Sequence, residues 1–461
     1  MRKASSPADL SPADASKMGL LCFLWVAFVV YGSLLPFDFN PLPWDIAWRR
    51  LSTAPMLELG IESRADWVAN GVLYLPVGFL TTGMLMRAAD RGVSQWLIPG
   101  FVGLLFGAVL AVAVEFAQTA FPPRTVSRND MTAELIGTAV GVLTALAGAR
   151  KFQVMMVSFG HGGAALTRQL GIFYALLFPA IVLFPFDLLL DINEWHRKLA
   201  SAQVGLWLAG SGVKMGLITL VAKLLIETLA VAPLGAIWAA RRRRISPGQA
   251  SSAAQQLLIG ALLGMLVELA QLAFASGQSQ GASVLTRAAG FAFGGWVYQH
   301  GQTIRLESVR AALRQFTLPM TLVLLPLLLL VSGAWRGPWL APEQAIRRLL
   351  TGIEFLPFYY HYYTTEAQAV VSLVAVSLSY APIGILGWAW LARPSVVAML
   401  AIILSAAIEL SKLFSLNTHP DPTNLWIAAA SAWLIQSLLQ KAFSQSLPRS
   451  FGKAVGKTVG H

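Results

Sequence analysis

The chain has 461 residues, of which 56% are hydrophobic and only 12% charged, against roughly a quarter charged in soluble domains. That composition excludes an ordinary soluble enzyme and points to a membrane protein, and the single Cys22 excludes an intramolecular disulfide framework. The formal charge of +12 raises nucleic acid as a partner. However, the lysines and arginines gather in alternate loops between apolar runs, not in a basic stripe with interleaved aromatics, so no nucleic acid is expected.

In chain order, "MRKASSPADLSPADASK" is polar and rich in Pro, Ser and Ala, which predicts a disordered cytoplasmic N-terminus over 1–17. Apolar runs follow, among them Met18 to Pro36, Trp96 to Phe121, Gly171 to Phe186 and Phe316 to Trp335. About twelve such runs approach the roughly 20 residues needed to cross hydrocarbon, which predicts an all-α, polytopic helical bundle. The first run is long and lacks a small-residue cleavage signal, so it reads as an uncleaved helix and not a signal peptide. Arg87 and Arg91, Arg150 and Lys151, Arg241 to Arg244, and the basic tail over 441–461 fall on one side of this alternation. The bias predicts a multi-pass protein of the inner membrane with both termini cytoplasmic, and "RRRR" at 241 to 244 reads as an orientation anchor.

The sequence repeats itself. "YLPVGFL" (74 to 80), "VAPLGAI" (231 to 237) and "YAPIGIL" (380 to 386) share a Pro-x-Gly step, and each precedes an apolar helix with a lone glutamate, Glu115, Glu268 or Glu409. Fifteen positions on lie Asp130, Ser283 and Asn424, and seven further Gly137, Gly290 and Ser431, with no gap in register. Upstream, "WDIAWRRL", "NEWHRKL" and "PEQAIRRLL" read as short amphipathic basic helices at the interface. Three parallel repeats of four spans are therefore expected, over 18–150, 168–301 and 316–440, the last two degenerate.

The recurring residues read first as structure. Pro76 and Gly78, Pro233 and Gly235, and Pro382 and Gly384 bend the second span of each repeat, as a packing kink or as a hinge. Small residues four and eight positions before each glutamate (Ala111 and Gly107, Gly264 and Gly260, Ser405 and Ala401) form a stripe on its face, so the glutamate points into the bundle. A charge at the bilayer centre costs at least about 3 kcal/mol, so each glutamate calls for a partner or a use. Gln118 and Gln271 follow at i+3, where the third repeat has Lys412, and Lys223 and Glu227 sit one turn apart.

Arg124, Arg128 and Asp130 have no full counterparts, since the second repeat has "ASGQSQGAS" there and the third "LNTHPDPTN". They are the candidates for a ligand site, the alternative being that these charges only pair between helices. The aromatic tract "FYYHYYTT" reads as an interfacial belt, and His361 within it has no companion at metal-ligand spacing. No metal and no cofactor are expected, and there is no Gly-x-Ser-x-Gly elbow or phosphate loop.

Asn70 before "YLPVGF", the Glu-x-x-Gln pair Glu115 and Gln118, Arg124, Asp130, and Gly137 with Gly141 make the first repeat resemble a VanZ-like domain, although Glu134 stands where that family usually has asparagine. The resemblance implies a cell-envelope membrane protein, from a family linked to teicoplanin resistance, and directs attention to the extracytoplasmic face. The expected function is engagement of an envelope lipid, a lipid-linked glycan or a cell-wall precursor there, with Arg124 and Arg128 on phosphate and Gln118, Asn70, Glu115 and Asp130 as polar contacts. The alternatives are a membrane enzyme for group transfer with Glu115 or Asp130 as base, and a transporter or flippase.

Overall fold

The computed structural model describes residues 12–56, 58–86, 94–210, 217–246, 248 and 251–443. Residues 1–11 and the tail from 444 lie outside these, as do Arg87 and Arg91, so the expectations placed on them are outside the described residues. The first helix, Pro12–Leu34, begins within the segment expected to be disordered.

The described chain is all α-helical apart from a parallel pair of two-residue strands, Val204–Gly205 with Ser279–Gln280. It divides into two compact units, one of residues 1–160 with 168–302, the other of 161–167 with 303–461. Within the first unit four long helices, Pro12–Leu34, Ile61–Leu85, Ser94–Gln118 and Arg128–His161, are followed by Gly163–Val182, Leu217–Ile245, Ala253–Gln271 and Gly281–Gly301. The second unit contributes Thr317–Ser332, Glu366–Ala389, Pro394–Lys412 and Thr423–Ala442. In each group of four, these helices are called opening, Pro-Gly, Glu and closing below, and the groups are the first, second and third stretch. Short helices follow each opening helix at Trp44–Ser52, Ile192–Leu199 and Pro342–Thr351.

Nine described helices are long and apolar enough to cross a membrane, or ten if the bent pair Leu306–Gln315 and Thr317–Ser332 is one span, against the twelve expected. The closing helices Gly281–Gly301 and Thr423–Ala442 fall short for a packing reason. Each buries small and polar residues, Ser283, Arg287 and Gly290 in one and Asn424, Ala428 and Gln436 in the other, against its neighbours. Residues held inside a bundle do not face lipid and need not be apolar.

The Pro-Gly helices run on through Pro76, Pro233 and Pro382. The glycine two residues later is where the closing helix crosses. A β-carbon at Gly78 would fall on the Thr138 carbonyl, one at Gly235 on the Phe291 carbonyl, and one at Gly384 would lie 2.6 Å from the Ala432 carbonyl. Seven residues earlier the closing helix returns the contact: Gly137 lies on Gly71 O, Gly290 on Thr228 O, and Ser431 Oγ donates to Ser377 O at 2.6 Å. Such backbone-to-backbone approach is how helices gain packing energy where lipid removes the hydrophobic drive. Hydrophobic clusters fill the space beside it, Val29, Tyr74, Val77 and Ala111 in the first stretch and Phe178, Val231, Val267 and Phe291 in the second.

Candidate functional site

Each glutamate at the end of a Glu helix accepts a backbone N–H from the residue twelve positions on, which enters the closing helix. Ser127 N donates to Glu115 Oε2 at 3.3 Å, Gln280 N to Glu268 Oε2, and Asp421 N to Glu409 Oε2 at 2.8 Å. The first N–H groups of a helix lack internal acceptors and carry the positive end of its dipole, so a carboxylate there pins two helices together. All three glutamates are buried.

What surrounds the carboxylate differs. In the second stretch Arg287 forms a buried ion pair with Glu268. In the third, Lys412 Nζ reaches Glu409 Oε1 at 2.8 Å and Asn424 Nδ2 donates to the same oxygen at 2.9 Å. The position of Arg287, nineteen residues after its glutamate, is Glu134 in the first stretch and Ala428 in the third. Glu134 is 4% exposed and lies near Glu115 and Asp130, with the Tyr74 hydroxyl beside it. Neither Tyr74 Oη nor Glu134 Oε2 reaches hydrogen-bonding geometry with any partner among the described residues.

Asp130 is half-buried at the start of its closing helix. Its Oδ1 accepts from Asn70 Nδ2 at 2.9 Å, and its Oδ2 from Ser127 Oγ at 2.7 Å. Glu115, Asp130 and Asn70 are therefore brought together, with Glu134, Tyr74 and Ser127 added to them.

Arg124 and Gln118 are directed elsewhere. Arg124 Nε donates to Leu35 O at 2.7 Å and its Nη2 to Gly32 O at 2.6 Å, and Gln118 Nε2 donates to Ser33 O at 2.9 Å. All three acceptors close the opening helix, whose last carbonyls lack internal donors and favour a cation. Gln271 repeats the Gln118 contact on Val182 O at 3.4 Å. Arg128 is exposed, with Nη2 on Ser52 O at 3.1 Å, at the end of the short helix Trp44–Ser52. That helix is held to the Glu helix by Trp44 against Phe116, ring centroids 4.8 Å apart, and by Arg50 Nη1 on Thr119 O at 3.3 Å.

Residues 18–149 match the VanZ/LLP1 family model. That first stretch is VanZ-like. Comparison with curated proteins and with solved structures returns no match. The VanZ-like unit contains the whole Asn70, Glu115, Asp130 and Glu134 cluster, so the matched segment and the acidic cluster coincide.

Lys223 lies 3.9 Å from Glu227 and donates to Gln278 Oε1 at 2.7 Å. In the short helix Ile192–Leu199, Lys198 reaches Ala275 O and Gly277 O after the second Glu helix, and burial lowers its ammonium below the ordinary lysine range. In Pro342–Thr351, Arg348 does the same for Ser415 O at 2.7 Å and Thr418 O at 2.8 Å. His361 gains a companion that spacing did not offer, with Nδ1 3.4 Å from Asp421 Oδ2. Among the described residues no group of three His, Cys, Asp or Glu could hold a metal ion.

Two contributors escaped sequence reasoning. In the sequence Arg287 is one more helix-interior charge, and Glu134 is marked only by its departure from the family pattern. Carrying the register four positions beyond Asp130 and Ser283 aligns the two and marks the exchange of a cation for a third carboxyl.

Proposed function

We propose that this multi-pass membrane protein is built from three copies of one four-span unit and engages an envelope lipid or lipid-linked glycan through the VanZ-like copy, at the extracytoplasmic face of the inner membrane. The observation that carries the reading is the half-buried Asp130, oriented by Asn70 and Ser127, two residues from the exposed Arg128, which reaches the end of the amphipathic basic helix Trp44–Ser52. An oriented carboxylate accepts from sugar or glycerol hydroxyls, while a guanidinium matches phosphate. In this reading Arg124 and Gln118 hold the end of the opening helix, and Arg128 and Asp130 meet the ligand. The alternate-loop charge bias supports cytoplasmic termini, which puts these helix ends on the outer side.

The test is the lipid retained by the purified protein. Arg128→Ala and Asp130→Asn are expected to deplete a specific phosphorylated or glycosylated lipid from the co-purifying pool, and to alter teicoplanin sensitivity where the protein confers any. An unchanged lipid profile in both variants sinks the proposal.

A second reading, group transfer on a lipid-linked substrate, draws on the convergence of Glu115, Asp130 and Glu134 around Tyr74. Neighbouring carboxylates differ in proton affinity and can divide acid and base roles. Turnover of a labelled lipid-linked precursor, lost in Glu115→Gln, would place this reading first.

A further inference from the structure

We propose that the third stretch binds the hydroxyl-bearing headgroup of a neutral lipid, in a cavity of about 240 Å³ lined by all four of its helices. Glu409, Lys412 and Asn424 make the polar floor and Leu328, Val331 and Ile408 an apolar wall. Glu409 is fully engaged by Asp421 N, Asn424 Nδ2 and Lys412 Nζ, so the floor carries no net charge. One acceptor is left over. Asn424 is 7% exposed, and its Oδ1 is buried without a hydrogen-bond partner.

A hydroxyl suits this neutral floor: it accepts one of the remaining N–H groups of Lys412, and donates to Asn424 Oδ1 once a turn of that side chain brings the now buried oxygen to the cavity. A phosphate or carboxylate would add a second anion beside Glu409, and an ammonium would face Lys412, each unfavourable away from water. Val331, 54% exposed, sets the mouth of the cavity on the outer surface of the bundle, where acyl chains lie.

A cavity of the second stretch overlaps this one in part by register. There a space of about 190 Å³ is lined by Lys223, Glu227 and Gln271, at the register positions of Ser372, Val376 and Lys412, which line the third. A carboxamide oxygen, Gln271 Oε1, is again buried without a partner. Part of this space therefore recurs in the second stretch, where Glu268 and Ser283, at the register of Glu409 and Asn424, do not line it. The site is separate from Asp130 and Arg128, so loss of one leaves the other standing: lipid depletion in Asp130→Asn reports on the VanZ-like unit, labelling here on the third stretch.

The experiment uses the full chain in phosphatidylcholine nanodiscs with a diacylglycerol that carries a photoreactive diazirine in one acyl chain, labelled peptides being mapped by mass spectrometry. Labelling is expected to concentrate on residues 324–332 and 372–380. Excess unlabelled diacylglycerol should lower it about fivefold or more by mass action. The methyl ether of diacylglycerol, and glycerol alone, should leave it unchanged, because the hydroxyl must be free and borne on a lipid. Ala375→Phe, which fills the cavity without touching Glu409, should abolish the concentrated labelling, and Asn424→Leu should reduce it through the floor. Even labelling of all lipid-exposed helices, equal competition by phosphatidic acid, competition by free glycerol, or unchanged labelling in both variants would overturn the proposal.

Discussion

Arg287 closes a buried ion pair on Glu268, from the register position that Glu134 occupies in the VanZ-like unit. Removing one member of such a pair strands the other in a medium that solvates it poorly, at a cost of about 3–5 kcal/mol. Arg287→Met alone is therefore expected to destabilise the second stretch by that amount. Adding Glu268→Gln should restore most of the loss, since the amide oxygen still accepts from Gln280 N. A double-mutant cycle by denaturant unfolding in detergent measures this coupling, and additive single effects would refute it.

Glu134 presents the opposite case, a third carboxyl with one oxygen buried and unpartnered. A buried polar atom left unsatisfied costs about 1–3 kcal/mol, more if charged. Glu134→Gln keeps the shape and supplies an N–H that can reach Tyr74 Oη or Glu115. It is expected to raise thermal stability, by about 1 kcal/mol or more, while weakening any function that needs the acidic cluster. A lower melting temperature in the variant would show that the glutamate is stabilising the free protein.

Much of the fold was legible because its determinants are local or periodic. Apolar runs place the helices, Pro-x-Gly places the crossing of the closing helix, and the glutamate register places the pin on its first turn. Fewer helices pass on length and composition than the twelve expected because Gly281–Gly301 and Thr423–Ala442 carry small residues and polar faces buried against their neighbours, which lowers their hydropathy. In the candidate site, Glu115 and Asp130 are legible from spacing, and Asn70 from the family resemblance. The direction of Arg124 was not legible, since its acceptors Leu35 O and Gly32 O lie 89 and 92 positions away. Backbone carbonyls leave no mark in a sequence, so an arginine that caps a helix looks the same as one awaiting a phosphate.

The helix crossing gives a graded prediction. Gly235→Ala places a methyl on the Phe291 carbonyl and Gly78→Ala one on the Thr138 carbonyl, backbone atoms that cannot turn aside. Each is expected to destabilise by about 1–3 kcal/mol, the usual range for overpacking. Gly148→Ala, in the same closing helix as Gly137 but facing open space, is the control and should be neutral or stabilising by up to about 1 kcal/mol through helix propensity. Equal melting temperatures for Gly78→Ala and Gly148→Ala would mean that the backbone contact is not what holds these helices.

Within the first unit, Arg64 at the start of a Pro-Gly helix grips Glu194 of Ile192–Leu199 with both terminal guanidinium nitrogens, Nη1 and Nη2, at 2.8 and 3.1 Å. That hydrogen bond, followed by the N–H of Leu190, pulls the Glu194 carboxyl from its ordinary 4.5 down to about 2. A carboxylate whose folded value is depressed stabilises the fold fully above its unfolded value, and the contribution is lost as pH falls through the folded one. The wild type should therefore lose stability between about pH 4.5 and pH 2 in part through this group. Glu194→Gln should start less stable at neutral pH and show a shallower decline across that window. Thermal unfolding of both proteins in a non-ionic detergent, stepped through the window at constant ionic strength, measures the difference. Parallel pH profiles would show that the clamp contributes nothing, as exposed ion pairs often do not.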